Sequence, residues 1–364
     1  MEKYKYLKSL AVVILVLFLT SCARNTTSLP GADTIKTDKR ALFVTDTIDS
    51  ESSDYVWEIL QKCAERYSYQ LTLAEVQGQA DKASATLNQA SEGLYDIVII
   101  DRLASEMAAE WVLRNAGYYP EVRYLCLDVA QEEETSFPNV TCVIWEDAAA
   151  YYYYGAMAAL NCGENTVAFL AAEVGERAEM DFLAFYAGVT DVDNAVRALY
   201  YTLGSKPEAI NIKTVVNSAL DAGADVICLQ RSAIADAVAE ELMAREEQIH
   251  LLLAEPALSM EAEYTTENVL SHFSFHTDTL LEELFRDCFG GRLKSGDCSM
   301  AWLNGALAVE TGSAYPGALT EEEQEVLRVV KRNARKNEIS TLPDPAWTQE
   351  ERQEKIQTAG ETGK

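Results

Sequence analysis

Two stretches in different halves of the chain read as copies of one another. Asp96-Ile-Val-Ile-Ile-Asp-Arg102 pairs with Asp225-Val-Ile-Cys-Leu-Gln-Arg231. Each follows a helical stretch ending in glycine, Gly93 or Gly223, and each leads into small residues that open another helix. A short run that is apolar throughout suits a strand buried on both faces, as in a parallel sheet covered by helices. Its repetition predicts one βαβ module per half, and so two α/β layers of similar build. With 364 residues the chain is long enough for about two such bodies.

The remaining pattern agrees. In the first half, strand-like runs at 41–45, 69–73, 95–101, 122–128 and 140–146 alternate with helical stretches near 53–67, 81–91 and 104–116. A long Ala-rich helix is expected at 147–161. After it the alternation restarts, with strands at 166–171, 195–202, 225–229, 249–254 and 269–274 and a helix at 277–289. Thr320 reads as the N-cap of a helix over 321–337. Its first turn holds three Glu and its last turns four cations, which complements the helix dipole. Tyr151 to Tyr154 point in four directions on a helix, so one or two of them are expected in the core. Trp57 is expected to pack its helix on the sheet. Residues 346–364 are polar and read as a loose tail.

The N-terminus carries an address. Lys3, Lys5 and Lys8 precede an apolar run, Leu10 to Leu19, which is too short to span a bilayer but suits an export signal. Leu19-Thr-Ser-Cys22 then resembles the bacterial lipobox, which implies a signal peptide over 1–21 and lipid on Cys22. The polar stretch 22–39 reads as a flexible tether. The expected location is extracytoplasmic, with the protein held at the bacterial cell membrane by that lipid alone. Seven other cysteines form no CxxC and no zinc spacing. Cys288 and Cys298, the closest pair in sequence, could bridge.

Charge narrows the function. The formal net charge is −28, and nucleic acid or an anionic membrane face needs a basic surface. Three histidines leave little for a His-rich metal site, and no metal or cofactor is expected. There is no GxSxG, no HExxH and no glycine-rich phosphate loop after the first strand, so an enzyme finds little support.

Several blocks, taken in order, resemble the basic membrane protein family of ABC-transporter substrate-binding lipoproteins, which includes purine-nucleoside binders. They are Val44-Thr-Asp46 with Trp57-Glu-Ile-Leu60, Gly93-Leu-Tyr-Asp96, Asn139-Val140, Gly155-Ala-Met-Ala-Ala-Leu160, Val167-Ala-Phe169, Phe185-Tyr-Ala-Gly188 and Gly223-Ala-Asp-Val-Ile227. The resemblance runs from residue 40 to about 345. It implies a two-lobe type I periplasmic-binding-protein-like fold, with parallel sheets flanked by helices and a hinge cleft between the lobes. An N-terminal lobe is expected over 40–146 and a C-terminal lobe over 147–274. Residues 275–345 are then the hinge crossover and the closing helices. The resemblance also implies a small polar solute, a nucleoside or an anion, and ABC permease subunits as partners. The alternative is a surface sensor or interaction lipoprotein that kept the fold and lost transport.

The family's aromatic ligand positions carry other residues here. The first loop, Ser-Phe-Asn in the family, aligns with Glu51-Ser52-Ser53, and a second stacking Phe aligns with Asp181. A family Asp that holds ribose hydroxyls falls near Ala254-Glu255, and a family Lys near Phe275. Repeat logic offers Arg102 and Arg231, each just past a strand and before a helix. They either clamp an anion between the lobes or pair with local acids such as Asp101 or Asp128. Asp46, Ser52, Ser53, Glu173, Gln230 and Glu255 also follow strands and suit hydrogen bonds to a polar ligand. Trp145, ahead of the expected crossover helix, is the aromatic candidate for the cleft.

Overall fold

The structure is a computed structural model. It describes residues 39–46, 51–101, 104–128, 137–171, 175–204, 209–230, 237–238, 241–242, 249–254, 268–275, 277–302, 304–312 and 319–361. The expected signal peptide, Cys22 and the expected tether up to residue 38 lie outside these residues, and Lys39 opens the first strand.

Twelve described strands form two six-stranded sheets. The first contains β1 (Lys39–Thr45), β2 (Tyr69–Glu75), β3 (Ile97–Ile100), β4 (Arg123–Leu127), β5 (Val140–Glu146) and β11 (Gly296–Ala301), in the order β2-β1-β3-β4-β5-β11. The second contains β6 (Thr166–Ala171), β7 (Arg197–Thr202), β8 (Val226–Leu229), β9 (His250–Ala254), β10 (Val269–Phe275) and β12 (Leu307–Thr311), in the order β7-β6-β8-β9-β10-β12. The two orders are the same when counted within each sheet. The repeated sequence blocks form β3 and β8, which occupy equivalent places beside β1 and β6. The helix-ending glycines match as well: Gly93 and Gly223 both have φ +89°, a left-handed C-terminal turn that a Cβ disfavours. Pairing is parallel through β1, β3, β4, β5 and β11, and only β10–β12 is antiparallel in the second sheet.

Helices cover the sheets: α1 (Glu51–Tyr67), α2 (Ala80–Ser91), α3 (Ser105–Asn115), α4 (Ala148–Asn161), α5 (Glu176–Val192), α6 (Ala209–Asp221), α7 (Thr277–Phe289), α8 (Glu321–Arg335) and α9 (Gln349–Glu361). On α1 the apolar positions Leu60, Cys63 and Ala64 fall on one face, as 3.6-residue periodicity requires, and all are buried. Trp57 stacks on Phe43 of β1, with ring centroids 6.0 Å apart. The chain passes between the sheets three times. It leaves β5 through Asp147 into α4, returns after β10 to α7 and β11, and crosses again between Ala301 and Leu307 into β12.

Four features differ from the sequence reading. All four of Tyr151 to Tyr154 are buried, not one or two, because α4 has packing partners on every side. Tyr151 meets Phe169 and Phe273 of the second sheet. Tyr152 donates to Asp191 of α5 at 2.8 Å, and burial together with that carboxylate pushes its phenol up to about 12. Tyr153 lies against Trp302, and the Tyr154 hydroxyl donates to the Leu253 carbonyl at 2.8 Å. Second, residues 296–301 and 307–311 are strands; Gly296, Asp297 and Ser299 have little β-propensity, and pairing with β5 supplies what the local sequence lacks. Third, the bridge that the sequence leaves open between Cys288 and Cys298 is not formed: both are free thiols, as are the other described cysteines.

Fourth, the expected loose tail contains α9, docked on α5. Thr348 and Glu351 form a reciprocal N-terminal cap, with the Thr348 amide donating to the Glu351 carboxylate at 2.7 Å and the Glu351 amide donating back to Oγ1. Arg352 then reaches under the helix. Its Nε donates to Glu179 at 2.7 Å and its Nη1 to the Trp347 carbonyl at 2.7 Å, while Gln353 donates to the other Glu179 oxygen at 2.6 Å.

Thr320 caps α8 as expected. Its hydroxyl accepts from the Glu323 amide, and the Glu323 carboxylate accepts from the Thr320 amide. Helices α4 and α5 approach one another closely. A Cβ built on Gly155 would fall on the carbonyl oxygen of Phe185, and one on Gly188 would fall on that of Tyr152. The two backbones touch because both positions lack a side chain.

Candidate functional site

Parallel sheets present the carboxyl ends of their strands to a common edge, and ligands of open α/β sheets bind beyond that edge. At the end of β1, the Thr45 hydroxyl donates to the buried carboxylate of Asp101, just past β3, at 2.7 Å. Asp46 is committed locally: its carboxylate accepts from the Gly78 amide and its carbonyl from the Gln77 amide. That holds the turn between β2 and α2, where Gln77 and Gly78 both have positive φ.

In the second sheet the structure brings two expected residues together. Gln230, past β8, donates from Nε2 to Asp181 of α5 at 2.7 Å, and both are buried. The position aligned with a stacking aromatic is thus a carboxylate held by an amide. Trp145, near the end of β5, is half-buried and lines a cavity of about 660 Å³. Asp181 lines the same cavity, together with Asp128, Asp147, Arg177 and Trp302. Ser52 and Ser53 lie in the first turn of α1, their side chains outside the described structure. Arg102, Glu173, Arg231 and Glu255 also lie outside the described residues.

The charged centre of this cavity is a residue that the sequence reading passed over. Arg177, in the first turn of α5, donates from Nη1 to both carboxylate oxygens of Asp128 at 2.6 Å. Its Nη2 donates to the Trp145 carbonyl at 3.3 Å and to Asp147 at 3.4 Å. Burial works against its charge, but Asp147, Asp128 and Asp181 outweigh that and hold the guanidinium pKa well above its ordinary value. Asp128 follows β4 in the left-handed conformation, at φ +61°, which Asp tolerates better than most residues. Asp147 sits at the N-cap of α4. The readable signals were weak: an Asp closing a strand, an Asp opening an Ala-rich helix, and an Arg in a first turn where the dipole does not ask for a cation.

A cavity bounded by two indole side chains, four carboxylates and one guanidinium can hold a small solute with an apolar face and a polar edge. Among the described residues, no group of three or more His, Cys, Asp and Glu could hold a metal ion. Nor is any helix among them long and apolar enough to cross a membrane.

Comparison with known proteins gives this geometry a family. An ABC transporter solute-binding protein from Aeropyrum pernix K1 superposes with a TM-score of 0.69 at 15% identity, over 89% of this chain and 98% of that one. One from Conexibacter woesei DSM 14684 gives 0.59 at 13%, over 84% and 99%. A transcriptional activator of the comK gene from Bacillus halodurans gives 0.59 at 16%, over 84% and 100%, so the likeness of fold by itself does not fix the role. No curated protein matches the sequence. The sequence model described as Bmp, ABC transporter substrate-binding protein PnrA-like, matches residues 37–251, more than half of the chain. The chain belongs to the Bmp family of ABC transporter substrate-binding proteins.

Proposed function

We propose that the protein is the lipid-anchored, extracytoplasmic solute receptor of an ABC importer. It binds one small polar solute where its two lobes meet and delivers it to permease subunits without chemical change. The observation that carries this reading is the cavity of about 660 Å³ beside the chain crossovers, in a chain of the substrate-binding family. The volume lies in the range of small-molecule sites. Trp145 and Trp302 offer aromatic surface to a ring, and Asp181 offers an acceptor for a hydroxyl. These features suit a solute of the nucleoside class, with tryptophans in place of the family's phenylalanines. Export through the signal and lipid on Cys22 would hold the body outside the membrane.

A thermal-shift screen against nucleosides, sugars, amino acids and small anions tests this. A ligand at 100 times its Kd adds about 2.7 kcal/mol of stability, which raises the melting temperature measurably. A nucleoside is the expected hit. A small-anion hit that disappears in Arg102→Ala or Arg231→Ala would replace the nucleoside by an anion clamped between those arginines. Silence across all four classes would overturn the transport reading in favour of a surface sensor.

A further inference from the structure

Three separate parts of the chain converge on one guanidinium. Arg177 belongs to α5, beside the second sheet; Asp128 closes a strand of the first sheet; Trp145 and Asp147 flank the point where the chain first crosses between them. The Asp128 and Asp147 carboxylates are only 7% and 5% exposed, whereas the Arg177 side chain is 37% exposed. Two sheltered carboxylates thus hold one partly exposed cation across the lobe junction. Arginine suits this place, since its planar fork can serve several acceptors at once and a lysine ammonium cannot match it.

We infer that Arg177 is a positioning residue for lobe closure: its bonds to Asp128 and to the Trp145 carbonyl hold the closed arrangement, and its bond to Asp147 sets where the guanidinium waits when the lobes part. The inference rests on the reading of the protein as a two-lobe solute receptor. Hinge opening turns the first sheet away from α5. The bonds to Asp128 and to the Trp145 carbonyl, at the paired strands β4 and β5, must then break, while Asp147 opens α4, which packs on α5. Asp147 and Asp181 remain beside Arg177 in either state, so the cation is never left without a counter-charge. The latch therefore shifts the balance between open and closed forms, while the solute sets it through contacts of its own.

Small-angle scattering on the ligand-free protein tests this without any knowledge of the solute. Asp128→Asn keeps the residue's tolerance of positive φ and removes the charge. Arg177→Met removes the guanidinium and keeps the apolar stem. A compact chain of this length has a radius of gyration of about 20 Å, and both variants are expected to exceed the wild type by roughly 1 Å. Arg177→Lys, which keeps the charge but loses the fork, should fall between. Circular dichroism and melting temperature confirm that each variant is folded. Folded Asp128→Asn and Arg177→Met proteins with the wild-type radius would overturn the latch and leave the solute reading intact. Expansion in the variants together with silence in the solute screen would do the reverse.

Discussion

Gly155→Ala is expected to destabilise the protein by about 3 kcal/mol or more, at the upper end of what overpacking costs. Helix propensity alone predicts the opposite sign, because alanine stabilises a helix interior by about 1 kcal/mol over glycine. The difference comes from the neighbour. The added methyl would occupy the place of the Phe185 carbonyl oxygen, which is backbone and cannot swing aside. Helices α4 and α5 would have to separate, and α4 carries the four buried tyrosines that pack the second sheet, α5 and the last crossover. Gly188→Ala meets the Tyr152 carbonyl in the same way and should behave alike. Gly360→Ala in α9 is the control: a Cβ there meets nothing within 4 Å, so that change should be neutral or stabilising. Urea unfolding followed by circular dichroism decides. A Gly155→Ala protein as stable as the wild type would contradict the close α4–α5 contact.

The second large effect is at the C-terminus. Arg352→Met is expected to cost about 3–5 kcal/mol, the usual penalty for leaving one member of a buried ion pair alone. Arg352 and Glu179 are 8% and 7% exposed, so solvent cannot take over the missing charge. Gln353 would remain as a neutral donor to the stranded Glu179 carboxylate, and the exposed Glu176 would lose only a weak partner. The loss should appear first in α9, as faster hydrogen exchange over 349–361, before global unfolding. Replacing both members, as in Glu179→Met with Arg352→Met, should recover most of the stability, since two apolar side chains in that place leave no buried charge. Unchanged exchange in Arg352→Met would mean that α9 is held by other contacts.

Much of the architecture was legible because it rests on local, repeated signals. The β3 and β8 blocks, with their preceding glycines, announced two modules, and the structure places them at the same position in two sheets of the same order. The N-cap at Thr320 was readable from residue types at fixed spacing. Thr348-Gln-Glu-Glu351 carries the same spacing, but the polarity of its surroundings hid it, and the buried side of α9 depends on Arg352 finding Glu179 far away in sequence. The edge strand β11 was missed because its partner β5, not its own residues, makes it a strand.

The site was less legible for the same reason. Gln230 and Asp181 were each singled out, but nothing local says that they bond to one another. Asp46 was singled out by its place after a strand, but nothing local says that its carboxylate accepts from the Gly78 amide in the turn after β2. Arg177 draws its meaning from Asp128 and Asp147, which lie in other elements and become its neighbours only when the two sheets come together. Strand ends show where a cleft lies; which side chains face it is a property of the assembled lobes.

The central claim, a receptor that takes one solute of the nucleoside class at the lobe junction, is tested most directly by titration calorimetry of the protein with the nucleoside panel. The account predicts saturable binding of one solute per chain, weakened about tenfold or more in Trp145→Ala, the equivalent of losing one aromatic stack of about 1.4 kcal/mol. No saturable heat with any nucleoside, or binding that Trp145→Ala leaves untouched, would contradict it.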